Sequence, residues 1–75
     1  MHADQLRNVL TAHPFQPFTI RMTDGRQFLV SHPEFVAVFQ SGRSVIVTHA
    51  DDGFSILDLL TISELEVHAA RRTSA

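Results

Sequence analysis

The side chains that could do chemistry are few and scattered. Five histidines occur, His2, His13, His32, His49 and His68, and together with eight carboxylates they raise the question of a metal. No two lie at H-x-H spacing or four apart on a clear helix, and none has the His-carboxylate spacing of a known site, so a surface role is expected. Cysteine is absent, which excludes disulfides and thiolate metal ligands. Asp51-Asp52-Gly53 resembles a fragment of a calcium loop. It lacks the alternating ligands and the closing Glu, so it reads as a turn. Ser, His and Asp are present without a local motif to hold them together, and the chain is expected not to be an enzyme. No cofactor is implied.

Binding chemistry has better candidates. Arg21, Arg26 and Arg43 could form a patch for phosphates or another acidic partner, or they could simply solubilise the surface. His32, Glu34 and Phe35 could sit at a binding mouth, with Phe35 as an aromatic platform for a base. The plainer readings are a strand bend for His32-Pro33-Glu34 and a core position for Phe35, which opens an apolar run. Arg71-Arg72 near the end adds two charges. All six basic residues are Arg, and the net charge is −2 with neutral His. That balance disfavours general nucleic-acid binding, which wants a clustered basic face.

The elements that must position these residues follow from pattern. Seventy-five residues make one domain, expected to comprise a helix over about 4–12, a barrel over about 18–67 and a frayed tail over 68–75. Asp4–Ala12 reads as a short helix, with Asp4 as N-cap and Leu6, Val9 and Leu10 on one stripe. Pro14 ends it, and His13–Pro17 is a stiff connector that brings Phe15 toward the core.

Phe18–Val30 is the clearest stretch, two strands folded over Asp24-Gly25. A two-residue turn would pair Ile20 with Leu29 and set Phe28 and Val30 on the wrong face. A three-residue loop, Thr23-Asp24-Gly25, pairs Met22 with Arg26, Ile20 with Phe28 and Phe18 with Val30. The apolar groups then share a face, which requires a bulge with Gly25 at positive φ. Pro33 interrupts the next stretch. Phe35–Phe39 is apolar throughout and reads as a strand buried on both sides, or buried on one and shared with a partner. Ser44–His49 and Phe54–Leu57 are further strands, separated by turns at Gln40–Arg43 and Ala50–Gly53. Asp58–Thr61 is either a tight turn or the start of a helix capped by Thr61 or Ser63. The turn is preferred, followed by a strand over Ile62–Val67, with Leu60, Ile62 and Leu65 as candidates for burial.

The order of helix, tight hairpin and further strands resembles the Sm-like family, within the broader SH3-like barrels. The nearest comparison is its bacterial host-factor (Hfq) branch. Where that branch reads V-S-I-Y-L-V-N-G, Phe18–Gly25 reads F-T-I-R-M-T-D-G, and where it reads S-F-D-Q-F-V, Ser31–Val36 reads S-H-P-E-F-V. The resemblance implies a five-stranded barrel, assembly by strand edges, and an RNA-binding role in which Glu34-Phe35 stands where the branch has Gln-Phe. Pro33 stands in for the branch's bend-forming small residue, and its lysine-histidine pair is absent, Ile56–Leu59 occupying that place.

A non-enzymatic, homo-oligomeric binding protein is therefore expected, engaging RNA or another polyanion. A protein-interaction module using an exposed strand edge is the alternative. MHADQL lacks the basic and apolar regions of a signal peptide, and no apolar run reaches the ~20 residues of a membrane helix. A cytoplasmic location is the expectation.

Overall fold

The computed structural model describes residues 1–68. The expected frayed tail and Arg71-Arg72 fall outside these beyond His68. Among these residues the chain is mainly β, with six strands in two small antiparallel sheets and one short helix. In order, these are α1 (Ala3–Leu10), β1 (Phe18–Met22), β2 (Gln27–Val30), β3 (Val36–Val38), β4 (Ser44–Thr48), β5 (Phe54–Asp58) and β6 (Ile62–Val67). One sheet has the order β2-β1-β6 and the other β3-β4-β5, and the two ladders do not join into a closed barrel. None of the described helices is long and apolar enough to cross a membrane.

The hairpin has the register that its alternation demands. Phe18 faces Val30 and Ile20 faces Phe28. The Met22 N–H donates to the Arg26 carbonyl at 2.9 Å, and the Gly25 N–H donates back to Met22 at 3.0 Å. This closes the three-residue loop, with Gly25 at φ 93°. A Cβ at Gly25 would meet nothing within 4 Å, so only the backbone conformation asks for glycine there.

Strand β6 returns along the other side of β1 and needs one irregularity to do so. Ile20 faces Leu65 and Arg21 faces Glu64, but Met22 faces Ile62. Ser63 is the extra residue of this bulge, and its hydroxyl donates to the Arg21 carbonyl at 3.0 Å. Without the bulge Ile62 would share a face with Glu64 and Glu66. With it, Ile62 turns inward and is 4% exposed.

Four departures from the sequence reading have local causes. The helix begins at Ala3, not Asp4, because the Gln5 side chain reaches back to accept the His2 N–H. Asp4 sits in the first turn, favourable for the helix dipole. The helix stops at Leu10, where the Thr11 hydroxyl donates to the Arg7 carbonyl. Among the described residues six strands are present where the resemblance implies five, with Pro33–Phe35 coiled into a 3-10 turn between β2 and β3. The strand expected over Phe35–Phe39 is thereby cut to Val36–Val38, and it is not buried on both sides: Ala37, Phe35 and Phe39 are exposed. Finally, Leu59–Thr61 form a second 3-10 turn, capped by the Asp58 carboxylate, which accepts the Leu60 N–H at 2.9 Å. This turn buries Leu59 and leaves Leu60, expected inside, 81% exposed.

Both sheets and the helix meet on one cluster. Leu6 comes from α1, Phe18, Ile20, Met22, Val30 and Ile62 from the first sheet, Val36, Val45, Val47 and Leu57 from the second, and Leu59 from the turn between β5 and β6. Phe15 packs edge-on against Phe18 at 6.1 Å and is half-buried. Leu59→Ala should therefore cost about 2–5 kcal/mol in urea unfolding. Leu60→Ser should stay within about 0.5 kcal/mol of the parent. Equal costs for the two would contradict this assignment of core and surface.

Candidate interaction surface

The arginines are placed by three different features of the fold. Alternation puts Arg21 on the outer face of β1, opposite the β6 carboxylates. Its guanidinium donates to Glu66 Oε1, with Nε at 3.1 Å, and lies 3.6 Å from Glu64 Oε1. The hydrogen bond from Arg21 and its positive charge hold the Glu66 carboxyl below its ordinary pKa, and the same bond raises that of Arg21. Arg26 follows the hairpin loop. Its Nε donates to Asp24 Oδ2 at 2.9 Å, and its guanidinium lies 5.8 Å from the Phe28 ring centroid. The Asp24 carboxyl is lowered chiefly by accepting the Arg26 backbone N–H, with the guanidinium adding to this. Arg43 ends the turn before β4 and borders a shallow hollow with Met1, Asp58, Leu59 and Leu60. Among the described residues it is the one sequence-predicted arginine without a salt bridge. Two of the three candidate cations are thus already neutralised by carboxylates of the chain itself.

His32, Glu34 and Phe35 do come together, around the first 3-10 turn. The His32 and Phe35 rings meet edge to face at 5.2 Å, and all three residues are exposed. Phe35 is therefore a surface aromatic, contrary to the core position expected for it, because Val36 takes the inward position and Phe35 falls on the outward side with Ala37 and Phe39. It borders a groove of about 420 Å³ with Leu29, Ser31, Thr48 and His49. Glu34 has no cation partner among the described residues.

The outer face of the second sheet carries the feature that residue-by-residue reading misses. Val45, Val47 and Leu57 point into the core, so alternation turns Ala37, Ile46, Phe54 and Ile56 outward. Ala37, Ile46 and Ile56 lie in one register row across the three strands, and Phe54 lies in the next, beside Thr48. Phe54 is 62% and Ile56 60% exposed. Phe35 and Phe39 continue the surface at the ends of β3. A signal for it exists in the sequence: β4 and β5 are apolar at positions of both parities, which in an antiparallel sheet means both faces.

Catalytic and metal chemistry find little here. His49 Nε2 and Ser55 Oγ are 2.8 Å apart, but the nearby Asp51 Oδ1 is occupied by the Gly53 N–H at 3.0 Å, inside its own turn. Among the described residues no three of His, Asp and Glu gather as a metal cage requires. No buried side-chain nitrogen or oxygen among them lacks a partner. Thr19, the one buried polar residue in this set, is satisfied by His68 Nε2 at 2.8 Å.

No protein-family model matches the chain, and neither curated proteins nor solved structures give a significant match.

The Arg21–Glu66 pair makes a pH prediction. A carboxyl held below its ordinary value of about 4.3 contributes stability that is complete above that value and lost as pH falls through its folded pKa. Glu66→Gln should therefore lower Tm slightly at pH 7, and the gap from wild type should close below about pH 4. A gap that persists or widens in acid would contradict the pairing.

Proposed function

We propose that this chain is a non-enzymatic binding module, a small barrel of Sm-like or SH3-like kind that works as a homo-oligomer. It meets another polypeptide through the outer face and open edge of the β3-β4-β5 sheet. The observation that carries this reading is the outward apolar face of this sheet, with Phe54 and Ile56 each about three-fifths exposed. A contiguous apolar patch is a costly thing to show to water, and burying each such side chain contributes about 1.5–3 kcal/mol. The barrel reading is supported by the course of the chain. β2 leads into β3 across the Pro33 bend, and β6 returns to pair with β1.

Binding of RNA or another polyanion is the second reading, and the ion pairs weigh against it. With Arg21 held by Glu66 and Glu64, and Arg26 by Asp24, Arg43 is the free cation of the proposed patch among the described residues. One phosphate contact gives a salt slope of only about 0.7–0.9.

Salt separates the two readings. Light scattering should show an assembly that persists from low salt to about 1 M, where exposed charge interactions are screened beyond roughly 3 Å. Phe54→Ser should reduce that mass. The protein should not be retained by immobilised single-stranded RNA at low salt. A monomer at every salt concentration would contradict the proposal. RNA retention that Arg43→Glu abolishes would replace it with the polyanion reading.

A further inference from the structure

We infer that β5 pairs with β5 of a second copy, antiparallel about a two-fold axis through Ile56, so that two β3-β4-β5 sheets become one six-stranded sheet. The inference rests on the reading of this sheet as an interface, and it names the occupant and the geometry.

The first argument is a comparison of sheet edges. Exposed edges invite pairing unless charge, proline, a bulge or shortness blunts them. β6 carries Glu64, Glu66 and the Ser63 bulge. β3 has three residues and directly follows the 3-10 turn that Pro33 opens. β2 has four residues, bounded by the bulged loop and the Pro33 bend. β5 has five residues with no bulge, no proline and no basic residue, and it presents Phe54 and Ile56.

The second argument is the phase of the backbone. The His49 N–H donates to Gly53 at 2.8 Å, and the Leu59 N–H donates to Arg43 at 2.9 Å. In the β4–β5 register these bonds fix Ser55 and Leu57 as the residues bonded to β4. Phe54, Ile56 and Asp58 therefore direct their N–H and C=O groups to the open edge. The Asp58 carbonyl already accepts the Thr61 hydroxyl at 2.7 Å. A two-fold axis at Ile56 lets the two Ile56 residues exchange a pair of N–H···O=C bonds. It also brings each Asp58 N–H to the carbonyl of the partner copy's Phe54.

The third argument is charge. Asp58 is the one charged residue of β5. Antiparallel pairing about Ile56 sets each Asp58 opposite Phe54, four positions from its twin. That is about 13 Å along the strand, beyond the screening length of about 8–10 Å. Parallel pairing would place the two carboxylates side by side. Area sets the strength: a five-residue edge is about 17 Å long and falls short of the roughly 800 Å² per partner of a stable interface, so the dimer dissociates on dilution.

The chain has no cysteine, so one introduced thiol reports its own neighbour. In the inferred dimer the two Ile56 Cα atoms are about 5.5 Å apart, within the span a disulfide bridges. Under mild oxidation Ile56→Cys should form a covalent dimer at least about tenfold faster than Ile46→Cys, which lies on the same face one strand inward. In wild-type protein, raising the concentration from micromolar to about 1 mM should slow exchange of the Ile56 amide, a measurement independent of any variant. Faster cross-linking of Ile46→Cys would overturn the edge pairing in favour of stacked faces, leaving the interface reading intact. A predominant mixed product between Ile56→Cys and Ser63→Cys chains would overturn it in favour of head-to-tail assembly. A wild-type monomer at about 1 mM would overturn both the inference and the reading beneath it.

Discussion

Everything in this molecule depends on the phase of β1. Phe18, Ile20 and Met22 must all face inward while the strand is paired on both sides, and each partner meets that demand with a bulge. On the β2 side, Gly25 closes a three-residue loop that keeps Phe28 and Val30 on the core face. On the β6 side, Ser63 is the extra residue that turns Ile62 inward after Leu65. The same phase sends Arg21 outward to the β6 carboxylates. One alternation thus determines the first sheet's share of the core and the Arg21 ion pair.

The fate of the phenylalanines decides what the apolar content is for. A chain of this length hides only about 60% of the surface its unfolded form exposes. Of six Phe, only Phe18 is fully buried. Phe15 and Phe28 are half-buried, and Phe35, Phe39 and Phe54 are exposed. Aliphatic residues, chiefly Val, Leu and Ile, fill the interior instead. Of the seven exposed large apolar residues among those described, Phe54, Ile56, Phe35 and Phe39 belong to the second sheet or its ends, while Leu29, Leu60 and Val67 lie on β2, the turn before β6 and β6. Under the proposed interface, the four on the second sheet are the ones that another chain would cover.

Local grammar made much of the fold legible. The Asp-Gly turn, the facing of Ile20 and Phe28, positive φ at Gly25 and the last strand over Ile62–Val67 all follow from alternation and turn chemistry. Features set by distant pairing or by a 3-10 turn did not show. The Asp58 cap rotates the chain so that Leu59, not Leu60, enters the core, and the phase of β3 puts Val36 inside and Phe35 at the surface. The partners of Arg21 lie 43 and 45 residues away, and only the β1–β6 ladder brings them close. The three candidate arginines were therefore readable as residues, but not that Arg21 and Arg26 are already compensated. The apolar outer face was visible only as a strand that did not alternate.

The phase of β1 can be observed directly in solution. The Met22–Arg26 bond makes the Ile20–Phe28 and Phe18–Val30 pairs hydrogen-bonded ones, so Thr19–Leu29 and Arg21–Gln27 are the close non-bonded pairs, with Cα atoms about 4.5 Å apart. Nuclear Overhauser contacts between Hα protons should appear at Thr19–Leu29 and Arg21–Gln27. Contacts at Ile20–Leu29 instead would mean that the hairpin has slipped by one residue, and that the core face of the first sheet and the Arg21 pairing were assigned to the wrong sides.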